Sequence, residues 1–194
     1  MLKKITLLVV SVASAFALNS VEINVNNKDL EVGASIDMSQ LNDSIEPDTV
    51  FIGGKFLSGD VSNSDHTSSA NMDDYYEVSF LMKRHVNSNL ELGLGMKLNG
   101  TKNFSSIPLG AEARYALDTE LPMYIGGAIY YAPSVLAMSD AKNFMEYRIT
   151  LDVEVIENAF VTLGYRSIDT NYDKPVAQDI TYNSSVFAGF KFKF

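Results

Sequence analysis

The chain has no cysteine, no tryptophan, two histidines and five prolines in 194 residues. Without cysteine there is no disulfide scaffold, no thiolate metal site and no cysteine nucleophile. No uncharged apolar run approaches the ~20 residues that a membrane helix requires, so a bundle of helices in lipid is excluded. An excess of basic charge is missing as well. Asp and Glu number 24 against 15 Lys and Arg, a net charge of -9, and the isoelectric point lies near 4.6. A nucleic-acid-binding domain is normally basic, so that class is removed. With 46% hydrophobic and 20% charged residues and a mean hydropathy of +0.02, the composition is not that of a disordered chain. The length suits one domain.

What is present begins with an address. Lys3 and Lys4 open the chain, residues 5–12 are apolar, and Ala15-Phe16-Ala17 has the small-x-small form of a cleavage site. This predicts a secretory signal peptide over 1–17, too short in its apolar part to stay in a bilayer, and an exported domain over 18–194. Loss of Lys3 and Lys4 takes the net charge from -9 to -11. No cysteine follows the site, so no lipoprotein anchor is expected.

Beyond it the polarity repeats every second residue. Met145, Tyr147, Ile149, Leu151, Val153 and Val155 share one face, and Glu146, Arg148, Thr150, Asp152 and Glu154 the other. A helix would scatter these charges all round, whereas a strand is two-faced. Leu90, Leu92, Leu94, Met96 and Leu98 against Glu91, Gly93, Gly95 and Lys97 repeat the pattern. The same alternation predicts strands over 21–26, 29–38, 48–58, 74–85, 90–98, 107–117, 122–132, 145–155, 159–168 and 184–194. The connections alternate too. Short turns at 86–89, 118–121 and 157–158 alternate with long polar stretches at 59–73, 99–106, 133–143 and 169–183. Short turns on one side and long loops on the other are the rhythm of a bacterial transmembrane barrel. The nine-residue connection 39–47 departs from it, on the periplasmic side. Strand number is even in such barrels, so the expected fold is an all-β, antiparallel, up-and-down transmembrane β-barrel of ten strands, with eight as the alternative.

The last strand reads Val186-Phe187-Ala188-Gly189-Phe190-Lys191-Phe192-Lys193-Phe194. Phe190, Phe192 and Phe194 share a face, and three aromatics in five residues on a solvated edge would invite aggregation. Such a strand, with Gly189, is similar to the signal read by the barrel-assembly machinery. Phe187 departs from that pattern, which has a polar residue there.

Val21-Glu22-Ile23-Asn24-Val25-Asn26, Tyr130-Tyr131-Ala132-Pro133, Glu146-Tyr147-Arg148 and Gly164-Tyr165-Arg166-Ser167-Ile168-Asp169 resemble the YfaZ family of predicted outer-membrane proteins. The resemblance covers most of the chain after the signal peptide. It implies an outer-membrane barrel and brings no activity or catalytic residue with it. The OmpW-like and Opa-like small barrels share its generic features.

Inside so narrow a barrel, buried charges must pair. The candidate lumen set is Glu77, Lys83, Glu91, Lys97, Glu112, Arg114, Glu146, Arg148, Asp152, Glu154 and Arg166. Within it, Glu112 with Arg114, Glu146 with Arg148, and Glu91 with Lys97 share strands and faces. Such a set predicts a plugged lumen and a non-enzymatic envelope-structural or surface-interaction role. A narrow ion or small-solute channel with charged walls is the alternative, and a continuous gap along inward Gly and Ser positions would favour it.

A rim enzyme would have to use His66, beside Asp65, as its base. No second acid–histidine pair or Ser/His/Asp set accompanies it, so no catalytic residue and no cofactor is expected. The loop carboxylates Asp60, Asp65, Asp73, Asp140, Asp169, Asp173 and Asp179 lack calcium-loop spacing and predict no metal site. Tyr124, Tyr130, Tyr131, Tyr147 and Tyr165 are expected in interfacial girdles. Gly53-Gly54 and Gly126-Gly127 are expected to permit bends or close packing. The partners expected are outer-membrane lipid and lipopolysaccharide, and the assembly machinery during biogenesis.

Overall fold

A computed structural model describes residues 19–27, 29–59, 74–102, 104–139, 141–172 and 180–194. The expected signal peptide, His66 and all the loop carboxylates above except Asp169 lie outside the described residues. Ten strands form the wall: β1 Ser20–Val25, β2 Asp29–Asp37, β3 Val50–Gly59, β4 Tyr75–His85, β5 Leu90–Gly100, β6 Leu109–Leu117, β7 Met123–Ala132, β8 Ala141–Ile156, β9 Ala159–Tyr172 and β10 Ile180–Lys193. Each pairs antiparallel with its neighbours in sequence, and β1 closes on β10 from Ser20 opposite Lys193 to Val25 opposite Ala188. The barrel is closed, with ten strands rather than eight.

Every strand expected from alternation is present; β5 runs two residues further, to Gly100, and three are extended by more. β8 begins at Ala141, β9 continues to Tyr172, and β10 begins at Ile180. These extensions rise beyond the rest of the wall at the end that carries the long loops, here called the loop end. The opposite, turn end holds the tight connections that follow β4, β6 and β8, whereas the short turn between β1 and β2 lies at the loop end. Asn158 takes a left-handed backbone (φ 64°) in the turn between β8 and β9, a conformation Asn tolerates better than most residues. The long turn-end connection between β2 and β3 is ordered by Asp37. Its carboxylate accepts from Ser39 N at 2.9 Å and Asp48 N at 2.7 Å, capping the short helix Met38–Gln40.

The distribution of burial is the reverse of a water-soluble protein's. Leu94 is 65% exposed and Ile149 58%, whereas Arg166 and Glu31 are 0% exposed. Water-soluble proteins seldom bury unpaired charges or expose rows of large aliphatics. Here the outward faces of β4 to β8 are almost wholly apolar, and the charged rows point inward. That choice separates a barrel in lipid from a lipocalin-like barrel in water, which alternation alone does not do.

The inner face is tailored by glycine where an aromatic lies across the wall. A side chain at Gly164 would collide with the Phe187 ring, and one at Gly110 with Tyr130. Gly53 and Gly126 do pack closely, since a Cβ there would stand 2.7 Å from Ser79 Oγ and 2.5 Å from Thr150 Oγ1. At the β1–β10 seam a Cβ on Gly189 would strike Asn24 Oδ1.

Candidate functional site

The inward charges gather into two clusters at mid-height and a looser group at the turn end. In the first cluster Glu31 of β2 is held by two guanidinium groups. Arg148 of β8 donates through Nη2 to both its oxygens, at 2.6 and 2.5 Å, and Arg166 of β9 donates through Nη1 at 2.5 Å. Asn24 adds a bond at 2.7 Å. Arg166 also donates to Asp29, and its Nε donates to Asn183 Oδ1 at 3.0 Å. The Phe187 ring centroid lies 5.2 Å from the Arg148 guanidinium carbon and 5.1 Å from that of Arg166. At these distances the aromatic face contributes a cation–π attraction. This is why an aromatic stands where the assembly-signal pattern has a polar residue.

The second cluster centres on Lys97 of β5. Its ammonium sits 2.7 Å from Glu146 and 3.2 Å from Glu77, and 3.8 Å from the centroid of Tyr130. Lys55 approaches Glu77 at 3.6 Å, and Tyr75 donates to Glu77 at 3.1 Å. The Tyr130 hydroxyl donates to Glu112 at 2.6 Å. Opposite charges in these clusters pair between strands, and the Tyr75–Glu77 hydrogen bond is made along one strand. Glu112 does not bond Arg114, Glu146 does not bond Arg148, and Glu91 does not bond Lys97. Neighbours two apart on one strand stand nearly 7 Å apart, further than directly opposed residues on adjacent strands. Longer side chains then meet across the narrow lumen.

Toward the turn end the pairs lengthen. Arg114 Nε is 3.9 Å from Asp152, and its guanidinium stacks 3.6 Å from the centroid of Tyr124. Lys83 pairs with Glu91 at 3.1 Å, His85 with Glu91 at 3.6 Å and Lys191 with Glu22 at 3.8 Å. Glu154, at the turn end of the same face as Asp152, accepts from Asn158 N at 3.0 Å and caps the adjacent turn. Tyr124 and Tyr130 point inward and are not girdle residues, because each supports a cation. Tyr131, Tyr147 and Tyr165 do face outward, the last two with rings 5.8 Å apart. Phe190, Phe192 and Phe194 also face outward and are well exposed.

Glu22, Asp29, Glu31 and Lys55 are absent from the sequence-derived set. Parity places Asp29, Glu31 and Gly33 opposite Leu30, Val32 and Ala34, so the signal for the acids was present. Lys55 was obscured because its face also carries Phe51 and Leu57.

Small residues leave space between these side chains. A cavity of about 170 Å³ is bordered by Gly93, Gly126, Ala128 and Thr150 along with the charges of mid-lumen, including Arg148. A second, of about 130 Å³, lies nearer the turn end, bordered by Ser20, Ser35, Gly53 and Ser79. Lys83, Glu91, Arg114 and Lys191 line both, so the two adjoin. Toward the loop end the described side chains are apolar and packed together. Leu57, Tyr75, Phe104, Ala132, Phe144, Ile168 and their neighbours form a buried apolar cluster across it, with Phe104 stacked 5.8 Å from Phe144. Phe104 comes from the β5–β6 loop, and Leu136 and Ala137 from the β7–β8 loop. The two loops are tied by pairing of Ser105–Ser106 with Ala137–Met138. Among the described residues, no group of three or more His, Asp or Glu could hold a metal ion.

A closed ten-stranded antiparallel barrel, apolar outside and charged within, is a transmembrane β-barrel. The chain belongs to the YfaZ family, whose model, described as YfaZ precursor, matches residues 4–194. Among solved structures it is similar to the KdgM porin, at 9% identity and TM-score 0.46, covering 90% of this chain and 99% of that one. It is similar to the NanC porin at 9% identity and TM-score 0.46, covering 92% and 100%. A mutant Rh. blastica porin aligns at 13% identity and TM-score 0.36, covering 93% of this chain and 53% of that one. No curated protein matches it.

Proposed function

We propose that the protein is a narrow, non-enzymatic outer-membrane channel whose polar lumen opens to the periplasm and is closed on the cell surface in this conformation. Short turns belong to the periplasmic side of such barrels and long loops to the outside, which orients the two ends. The observation that carries the reading is the pair of adjoining cavities. They follow small inward residues (Ser20, Ser35, Gly53, Ser79, Gly93 and Gly126) from the turn end to mid-lumen. A lumen whose only task is to be filled has no use for such space. The apolar closure draws on two loops, elements able to move without breaking the wall.

The two mid-height clusters favour a second reading, a plugged barrel with a structural or surface role, because Glu31 and Arg166 fill much of the cross-section there. Conductance of the refolded full chain in planar bilayers separates the two. We expect brief, small openings, and a reversal potential shifted toward cation preference when Lys191→Glu and Lys193→Glu are introduced together. Silence from demonstrably inserted barrels, both the parent and a Phe104→Ala variant, would overturn the channel and leave the plugged barrel.

On this reading residues 1–17 are removed on export, Gly189 with Phe190, Phe192 and Phe194 is the strand offered to the assembly machinery, and the outward rows meet lipid and, outside, lipopolysaccharide.

A further inference from the structure

We propose that the turn-end cavity is a binding site for a small polyvalent oxyanion of the phosphate type. Four cations from three strands line its ≈ 130 Å³: Lys83 of β4, Arg114 of β6, and Lys191 and Lys193 of β10. Against them the cavity presents only two carboxylates, Glu91 and Asp48. Glu91 is engaged by Lys83 at 3.1 Å. The remaining cations are poorly neutralised. Arg114 meets Asp152 only at 3.9 Å, and Lys191 meets Glu22 only at 3.8 Å. Lys193 has no carboxylate partner among the described residues and lies 5.5 Å from the Phe160 ring centroid.

A second observation points the same way. Arg114 Nη2 is buried and has no hydrogen-bond partner. A buried guanidinium N–H left unpaired costs free energy that an arriving acceptor recovers. This contrasts with Arg166, which donates from each of its three nitrogens, to Asn183, Glu31 and Asp29. Arg148 Nε is also buried without a partner, but its Nη2 holds both Glu31 oxygens at 2.6 and 2.5 Å, whereas Arg114 meets its one carboxylate only at 3.9 Å.

The donor set selects among anions. A planar carboxylate is best met by a guanidinium fork, with both donors on one edge. Here the donors are one guanidinium on β6, ammonium groups on β4 and β10, and the hydroxyls of Ser79, also on β4, and of Ser35 on β2, four strands in all. Donors arriving from several directions suit a tetrahedral oxyanion. Chloride, with one negative charge and no acceptor directions, gains least from them. The site needs water access from the turn end only, so it stands whether or not the loop end opens.

The test is calorimetric titration of the refolded full chain in detergent micelles with inorganic phosphate, succinate and chloride at equal ionic strength. Phosphate should bind at one site per barrel, more tightly than succinate, with chloride weakest. Lys191→Gln with Lys193→Gln should weaken phosphate about tenfold or more, because two of the four cations are lost. Lys142→Gln, at the loop end, should leave it unchanged. Heat-shifted gel migration confirms that each variant is folded, and Lys193→Gln alone, at the exposed rim, gives a second reading that does not depend on tolerance at Lys191. Phosphate binding no tighter than chloride, succinate preferred over phosphate, or full affinity in the folded double variant would overturn the site. Phosphate binding by a barrel that never conducts removes the channel reading and leaves the site. Conduction without phosphate binding does the reverse.

Discussion

Glu31→Leu should destabilise the barrel by about 3–5 kcal/mol, the range expected when one member of a buried ion pair is removed and its partners are left charged. Glu31 is wholly buried and accepts from Arg148, Arg166 and Asn24. After the substitution Arg148 keeps only Glu22, at 3.7 Å, whereas Arg166 retains Asp29. Arg148 therefore bears most of the loss. The comparison that gives the number meaning is Lys191→Gln. Its pair with Glu22 is long and partly solvated, so about 0–1 kcal/mol is expected there. Urea unfolding of both variants in lipid vesicles, read by the midpoint at constant slope, checks the contrast. Equal small losses would mean that water reaches Glu31 and that the cluster is not dry.

Phe104→Ala should open the loop end. The ring is buried in the apolar closure and stacks on Phe144, yet it is carried by the β5–β6 loop rather than by a wall strand. Truncating a buried Phe costs about 3–5 kcal/mol. Most of that loss falls on the closed arrangement, since an open one exposes the ring in any case. At 1.4 kcal/mol per tenfold, even the lower figure shifts the closed-to-open ratio by about a hundredfold. Single-channel recording should show brief openings becoming long ones, with the size of each opening unchanged because the charged mid-lumen still sets it. An increase in opening size with no change in duration would place the constriction elsewhere.

The fold was legible wherever lipid imposed its period on the chain. Leu90 to Leu98 read cleanly because every second residue must be apolar and its neighbours are Glu, Gly or Lys. The same logic explains the shortfall at the loop end. Asp169, Thr170, Asn171 and Tyr172 remain in the β9 ladder, but no apolar row accompanies them. Hydrogen bonding continues there while the polarity pattern has stopped. The charged lumen was legible as a face and not as a set of pairs. Arg148 and Glu31 are 117 residues apart, and their meeting depends on closure of the barrel and the stagger of its strands. Inward aromatics were the hardest to place, since Tyr124 and Tyr130 satisfy either face until a cation is seen beside them.

A single cysteine tests the central claim, a watered lumen open at the turn end and shut at the loop end. The chain has no cysteine of its own, so Ser79→Cys places one thiol on the wall of the turn-end cavity. A charged, membrane-impermeant thiol reagent is added to intact cells, and separately to cells whose periplasm has been opened to it. Protection is expected in the first case and rapid modification in the second. Modification at the same rate from outside, or protection from both sides, would contradict it.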